Sequence, residues 1–271
     1  MNGTLYIVAT PIGNLEDITL RALRVLKEAD LIACEDTRQT RKLLDHFAIA
    51  KPMVSYHDHN EASRAEELIG RLEHGETIAL VSDAGTPLIS DPGYRLVAAA
   101  VAAGLTVTPI PGPSAAMSAL SAAGLPTDAF RFCGFFAVKS SQRRKMLEEH
   151  KRDDCTLVFY EAPHRILEAL EDVSAVMPAR PVVIARELTK MHEEFLRGTA
   201  SEVHASLAAR PSVKGEITLL IGKADVPEPD DTPVEDAIAA LEASGVARMD
   251  AIKQVAKARG LSKREVYKLT L

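Results

Sequence analysis

The chain has 271 residues, 46% of them apolar and only 4% aromatic, with no Trp. A core built from Ala, Val, Leu and Ile suits helices packed over a buried parallel sheet, and the length suits about two domains. The net charge of −6 argues against broad, non-specific nucleic-acid binding, although a local basic patch is compatible with an acidic whole.

Cys34, Cys133 and Cys155 lie far apart with no CxxC pair, which reads as reduced, buried thiols. Cys and His show no metal-site spacing, so no metal is expected. The start MNGTLYIVAT has no basic leader, and no apolar run approaches membrane length. The expectation is a cytoplasmic protein with no membrane contact.

Residues 5–10 read as a strand that breaks at Pro11-Ile12-Gly13-Asn14. A helix with apolar positions Leu20, Leu23 and Leu26 follows, then a strand at 31–34 ending in Glu35-Asp36-Thr37-Arg38. A helix over 39–47 leads to a strand at 53–56, and Asn60 is expected to cap a helix that stops at Gly75. The strand at 77–81 runs into Ser82-Asp83-Ala84-Gly85-Thr86-Pro87-Leu88-Ile89-Ser90-Asp91-Pro92-Gly93. There Asp91 is expected as a helix cap with Pro92 in the first turn. A strand at 105–110 and a helix opened by Pro111-Gly112-Pro113-Ser114 complete the first half. Alternating strands and amphipathic helices predict a doubly wound, largely parallel sheet, whose ligands sit beyond the carboxyl ends of the strands. The irregular motifs all fall at those ends.

Gly124-Leu125-Pro126-Thr127-Asp128 reads as a boundary. Strands are expected at 130–136, 156–161, 182–187 and 216–221, with a possible antiparallel addition at 193–196, and helices at 142–151, 164–177 and 201–209. Residues 226–231 are a linker by composition. Helices at 234–243, 249–259 and 263–270 then suggest a small helix-turn-helix-like module. Ala256, Leu261, Val266 and Leu269 form its expected core. The domains predicted are 1–124, 125–226 and 232–271. Lys253, Lys257, Arg259, Lys263, Arg264 and Lys268 make the last one basic, which suits phosphate contacts slightly better than a plain solvated face.

Two prolines, two glycines, two serines and two aspartates after one strand exceed what a simple connection needs. A capped helix start explains Asp91-Pro92-Gly93, whereas the stretch from Ser82 to Ile89 remains as a ligand wall. The helix start at Ser114 suits an anionic group but is a weak signal alone. Glu35-Asp36-Thr37-Arg38, Tyr160-Glu161-Ala162-Pro163-His164-Arg165, Arg186-Glu187-Leu188-Thr189-Lys190 and Lys214-Gly215-Glu216 put charge at strand ends and turns. His57-Asp58-His59 reads as surface or substrate-contact histidine. No GxGxxG or P-loop occurs, which disfavours nicotinamide and ATP chemistry.

These motifs, in this order and over nearly the whole chain, resemble the tetrapyrrole methylase superfamily, and within it the ribosomal RNA branch. Ala162 departs from the Ser expected there. The resemblance implies two α/β domains with S-adenosylmethionine in the cleft between them, a homodimer, and 2′-O-methylation of a cytidine in 16S ribosomal RNA of the small subunit. Carried onto this chain, the cofactor site would include Pro11, Asp83, Ala84, Gly85, Ile89, Ser114 and Ala115. From the second half come Phe136, Ala162, Lys214, Gly215 and Glu216. Activating a ribose hydroxyl needs a base or a nearby cation, for which Glu35, Asp36, Arg38, Glu161, Glu187 and Lys190 are the candidates. A tetrapyrrole methyltransferase and a non-catalytic RNA-binding assembly factor are the alternatives.

Overall fold

A computed structural model describes residues 2–224, 232–258, 261–262 and 266. The first half contains β1 (Thr4–Val8), α1 (Leu20–Glu28), β2 (Leu31–Cys34), α2 (Thr37–His46), β3 (Met53–Ser55) and α3 (Glu61–Glu73). It continues with β4 (Ile78–Val81), α4 (Tyr94–Ala102), β5 (Thr106–Ile110) and α5 (Ala115–Ala123). The five strands pair in the order β3-β2-β4-β1-β5, every pairing parallel. The alternation of β4 shows why the sheet is covered twice. Ile78 and Leu80 pack with Leu68, Leu72 and Leu96 of α3 and α4, while Ala79 and Val81 pack with Ala22, Val25 and Leu44 of α1 and α2.

The second half contains β6 (Phe130–Phe135), α6 (Ser140–Glu149), β7 (Thr156–Glu161), α7 (Ile166–Val176), β8 (Pro181–Arg186), β9 (Glu194–Thr199), α8 (Ala200–Ala208) and β10 (Ile217–Ile221). Its strand order is β6-β7-β10-β8-β9. Only β6–β7 is parallel; β10 runs against both neighbours, and β9 runs against β8. On one face Ile217, Leu219 and Ile221 meet α6, α7 and α8. On the other, Leu220, Val158 and Val183 meet Ala116, Ala119, Leu120 and Ala123 of α5. The last helix of the first half therefore packs on the second sheet.

Met1–Ala224 form one compact unit that holds both sheets, and Asp225–Leu271 form another. In the latter, α9 (Val234–Ala243) and α10 (Arg248–Ala258) share a core of Ile238, Ala251, Ile252, Val255, Ala256 and Val266, with Leu261 against it. Of the expected helix at 263–270 only Val266 is described; Leu269, the linker at 226–231 and most of the basic stretch lie outside the described residues.

Three local expectations need correction. Leu20 is the first residue of α1 and is 86% exposed; Ala22, Val25 and Leu26 carry the buried stripe instead. Asn60 precedes α3 without capping it. Its side chain points back, accepting from His57 N at 2.9 Å and donating to the Ser55 carbonyl at 3.1 Å. Helix α4 starts at Tyr94 with Gly93 before it, so Asp91 and Pro92 stay in the loop.

Candidate active site

Three loops at the carboxyl ends of β1, β4 and β5 are tied together. Thr10 and Gly85 exchange both backbone hydrogen bonds, at 2.9 and 3.0 Å. The Thr10 hydroxyl donates to the Ser82 carbonyl at 3.1 Å, and the Ser82 hydroxyl donates to the Gly85 carbonyl at 3.0 Å. Thr86 extends the tie by donating to the Pro113 carbonyl at 3.0 Å.

The β4–α4 loop is held in an unusual shape. Gly85 and Gly93 have φ of 85° and 138°, and two non-glycine residues, Leu88 and Ser90, sit at 70° and 69°. A left-handed conformation costs an ordinary residue about 1–2 kcal/mol, so the loop stores strain of the kind found at functional sites. Glu61 completes the arrangement from α3. Its Oε1 accepts from Gly93 N at 3.4 Å and from Arg95 N at 3.3 Å, which satisfies first-turn amides of α4. Asp91 is thereby left free of capping.

The loops surround a cavity of about 410 Å³, a size ordinary for small-molecule sites. Its first-half wall is Ile12, Ala84, Gly85, Thr86, Ile89, Ser90, Asp91, Ser114 and Ala115. The second half supplies Phe135, Tyr160, Glu161, Ala162, Pro163, Ala185, Leu188, Glu216, Ile217 and Thr218. Helix α5 begins on this wall. Ser114 Oγ accepts from Met117 N at 3.5 Å, and the Tyr160 hydroxyl accepts from Ala116 N at 3.3 Å. The helix start therefore offers positive potential to an anionic group.

Of the residues expected at a cofactor, Ala84, Gly85, Ile89, Ser114, Ala115, Ala162 and Glu216 line the cavity, and so does Glu161 from the catalytic candidates. Pro11 does not; its neighbour Ile12 does. Phe136 is 2% exposed and stacks on Phe159 at 4.0 Å between ring centroids, inside the second core. A register shift between Phe132 and Phe135, with Gly134 at φ 68°, turns Phe135 to the wall instead. Asp83 also lies off the wall, where its Oδ1 accepts from Asp36 N at 3.1 Å. Lys214 and Gly215 back the wall without forming it. The Lys214 carbonyl accepts from Arg186 at 3.0 Å, and Gly215 is pressed against Glu187, where an added Cβ would fall 2.4 Å from Cγ.

The charged candidates form separate groups. Asp36 caps α2 and binds Arg38 at 2.7 Å; that guanidinium holds its carboxyl down at about 2. Glu35 beside it is shifted upward, first by burial and then by the Asp83 and Asp58 carboxylates. On the second sheet, Lys190 bridges Glu187 at 2.9 Å and Glu216 at 3.1 Å. That lysine also contacts the first half, because an added Cβ on Gly13 would lie 2.5 Å from its Cγ. Glu161 accepts from Ala162 N at 2.7 Å and from the Arg165 guanidinium.

Asp91, expected at the helix start, lies on the cavity wall instead. Burial pushes its carboxyl up, the Glu35 and Asp83 charges push it further, and it reaches about 6. The signal was present as an acidic residue within the longest irregular motif. The added apolar wall residues Ile12, Leu188 and Ile217 each adjoin a motif residue, and Tyr160 opens one. Among the described residues, no three His, Cys, Asp or Glu side chains gather as metal ligands, and no helix is long and apolar enough to cross a membrane.

One cavity between a parallel and a mixed sheet, walled by strand-end loops, defines a two-sheet α/β ligand-binding protein. Residues 4–204 match the family model of Tetrapyrrole (Corrin/Porphyrin) Methylases. The protein called ribosomal RNA small subunit methyltransferase I of Halalkalibacterium halodurans is 52% identical over 98% of this chain and 94% of its own. Its Escherichia coli O157:H7 namesake is 47% identical over 99% and 95%. Among solved structures, diphthine synthase superposes with a TM-score of 0.64 at 16% identity, covering 82% of this chain and 91% of its own. Thermus thermophilus uroporphyrin-III C-methyltransferase, complexed with S-adenosylhomocysteine, gives 0.55 at 20%, covering 81% and 97%. These two likenesses concern the fold. The chain belongs to the tetrapyrrole methylase family, among its ribosomal RNA small subunit methyltransferase I members.

Proposed function

We propose that this chain is an S-adenosylmethionine-dependent methyltransferase acting on the 2′-hydroxyl of a cytidine ribose in 16S ribosomal RNA. The observation that carries the reading is its near-full-length identity of about half to relatives bearing the ribosomal RNA methyltransferase name. The cavity supports it. Its volume suits a nucleoside-sized cofactor, and at Gly85 a side chain would meet Ile12 at 3.3 Å on a backbone with φ +85°. The α5 start at Ser114 and Ala115 suits a carboxylate, and the Glu161 carboxylate favours a cationic ligand. When bound, S-adenosylmethionine supplies a methyl group on a positively charged sulfur.

The residues of the chain provide position and charge. Ala84, Gly85, Ile89, Ser114, Ala115 and Ala162 hold the cofactor, and fixing two reactants in place removes much of the barrier. Arg38, its side chain 87% exposed, sits with Glu35 and Asp36 at the end of β2 and meets the RNA. The basic segment around Lys253 adds phosphate contacts, and the protein acts in the cytoplasm as a homodimer on the small ribosomal subunit.

Calorimetry with S-adenosylmethionine, followed by methylation of isolated small subunits and of naked RNA with nucleoside mass spectrometry, tests the proposal. The expected product is 2′-O-methylcytidine. Absence of cofactor binding would favour a non-catalytic assembly factor, and binding without RNA methylation would favour a small-molecule methyltransferase. Replacing Glu35, Asp36 and Arg38 together by Ala should abolish methylation of RNA while leaving cofactor binding intact. Full activity in that variant removes them from the substrate end.

A further inference from the structure

We propose that Asp91 is the general base, accepting the proton of the attacking ribose hydroxyl. This deepens the proposed function and rests on it. Asp91 lies in the Ser82–Gly93 stretch but is not among the cofactor or catalytic candidates that the resemblance implied.

The chemistry sets the requirement. An O–CH3 bond forms as the S–CH3 bond breaks, and the sulfur leaves with the bonding electrons as a neutral thioether. The hydroxyl proton must go to an acceptor, and a carboxylate on the cavity wall is placed to receive it. Three acidic residues line that wall: Asp91, Glu161 and Glu216. Glu161 places Oε1 on both the Arg165 guanidinium and the Ala162 amide, so a cation engages it, while its Oε2 is buried without a hydrogen-bond partner. Glu216 is paired with Lys190 at 3.1 Å, and its side chain is 77% exposed. A carboxylate engaged by a cation is a weak base, because the cation stabilises the ionised form. Off the wall, Asp36 is held by Arg38 and Glu187 by Lys190. Among the described residues, Asp91 is the wall carboxylate with no cationic partner at ion-pair distance.

Its placement is built by the surrounding chain. A left-handed Ser90 precedes it, and a glycine at φ 138° follows two residues later. Glu61, a residue of another helix, takes the amides of Gly93 and Arg95 that an aspartate here would ordinarily serve. The loop thus places Asp91 on the cavity wall at a conformational cost that a mere connection would avoid.

Burial sets its basicity first, and charge adds to it: Glu35 beyond β2, Asp83 beyond β4 and Asp58 beyond β3 all oppose its ionisation. Tyr160 of β7 faces it as a neutral phenol whose own ionisation Asp91 resists. With its carboxyl at about 6, Asp91 is ionised at neutral pH yet more basic than an ordinary aspartate.

The test uses the full chain with small ribosomal subunits, measuring kcat and kcat/KM for the cofactor against pH, and cofactor affinity by calorimetry. Wild-type kcat/KM, which reports the free protein, should fall on the acid side with a limb near pH 6. Asp91→Asn should lower kcat by roughly 10²–10⁴-fold, abolish that limb and leave cofactor affinity unchanged. Asp91→Glu should recover part of kcat, and Glu35→Gln should move the limb to lower pH by removing one opposing charge. Wild-type kcat in Asp91→Asn overturns the inference, as does loss confined to cofactor affinity with kcat intact at saturation. If Asp91→Asn fails to fold, an unmoved limb in Glu35→Gln overturns it equally. A wild-type chain that yields no 2′-O-methyl nucleoside overturns the proposed function and this inference together, whereas an active wild type with an indifferent Asp91 overturns this inference alone.

Discussion

Glu61 reaches from the first turn of α3 to the amides of Gly93 and Arg95, the start of α4 just after Asp91. Glu61→Ala should destabilise the protein by about 1 kcal/mol, the usual loss for a helix cap, seen as a lower denaturation midpoint. An unchanged midpoint would remove the cap from the account. Asp91 itself should burden the fold at neutral pH. Its folded carboxyl is raised from 3.8 to about 6, so the support it gives the folded state is complete below pH 3.8 and is lost as pH rises through 6. Asp91→Asn removes that loss. Its Tm should exceed wild type above pH 6, and the advantage should vanish near pH 4; a pH-independent difference would contradict the shift. Capping rules made Asp91 readable as a helix start. The competing Glu61 lies 32 positions from Gly93, and no local rule reaches that far.

At the level of elements, α6 and α7 are joined by charge as well as by packing. Arg143 and Asp172 have side chains only 1% and 3% exposed, and Nε donates to Oδ2 at 2.6 Å. Ser140 at 2.8 Å and Arg144 at 2.5 Å fill the other Asp172 oxygen. Asp172→Ala would leave the buried Arg143 guanidinium with only the exposed Glu168 carboxylate at 3.7 Å, a loss of up to about 3–5 kcal/mol measurable by denaturant unfolding. Loss of a few tenths only would show that Arg143 can reach water. The apolar stripe of α7 was legible from its period, because Ile166, Leu170 and Val173 recur at helical spacing. The buried Asp172 within the same helix was not, since its partners come from a different helix. The β6 bulge is a similar case: alternation alone cannot report a register shift, and it exchanges Phe136 for Phe135 at the cavity.

For the whole molecule, the parallel class of the first sheet was readable, as was the crowding of odd motifs at its strand ends. The order β3-β2-β4-β1-β5 and the three reversed pairings of the second sheet depend on long-range pairing that no window reveals. Asp225–Leu271 have their own core, so a chain ending at Ala224 should fold. On the proposed function it keeps cofactor binding by calorimetry and loses most RNA methylation; undiminished methylation would release the terminal unit from any RNA role.

Helix α5 also decides how the cavity is entered. Its buried alanines and Leu120 lie against the second sheet, and Arg197 of β9 grips its far end through the Ala122 and Ala123 carbonyls at 2.6 and 3.0 Å. A helix rooted in one half and fastened at the other acts as a bolt. The halves cannot swing apart like a clamshell without stripping that seam of its packing. Ligand exchange is therefore left to local breathing of the rim, on the nanosecond-to-microsecond scale of loop motion. Small-angle scattering should return the same radius of gyration with and without bound ligand.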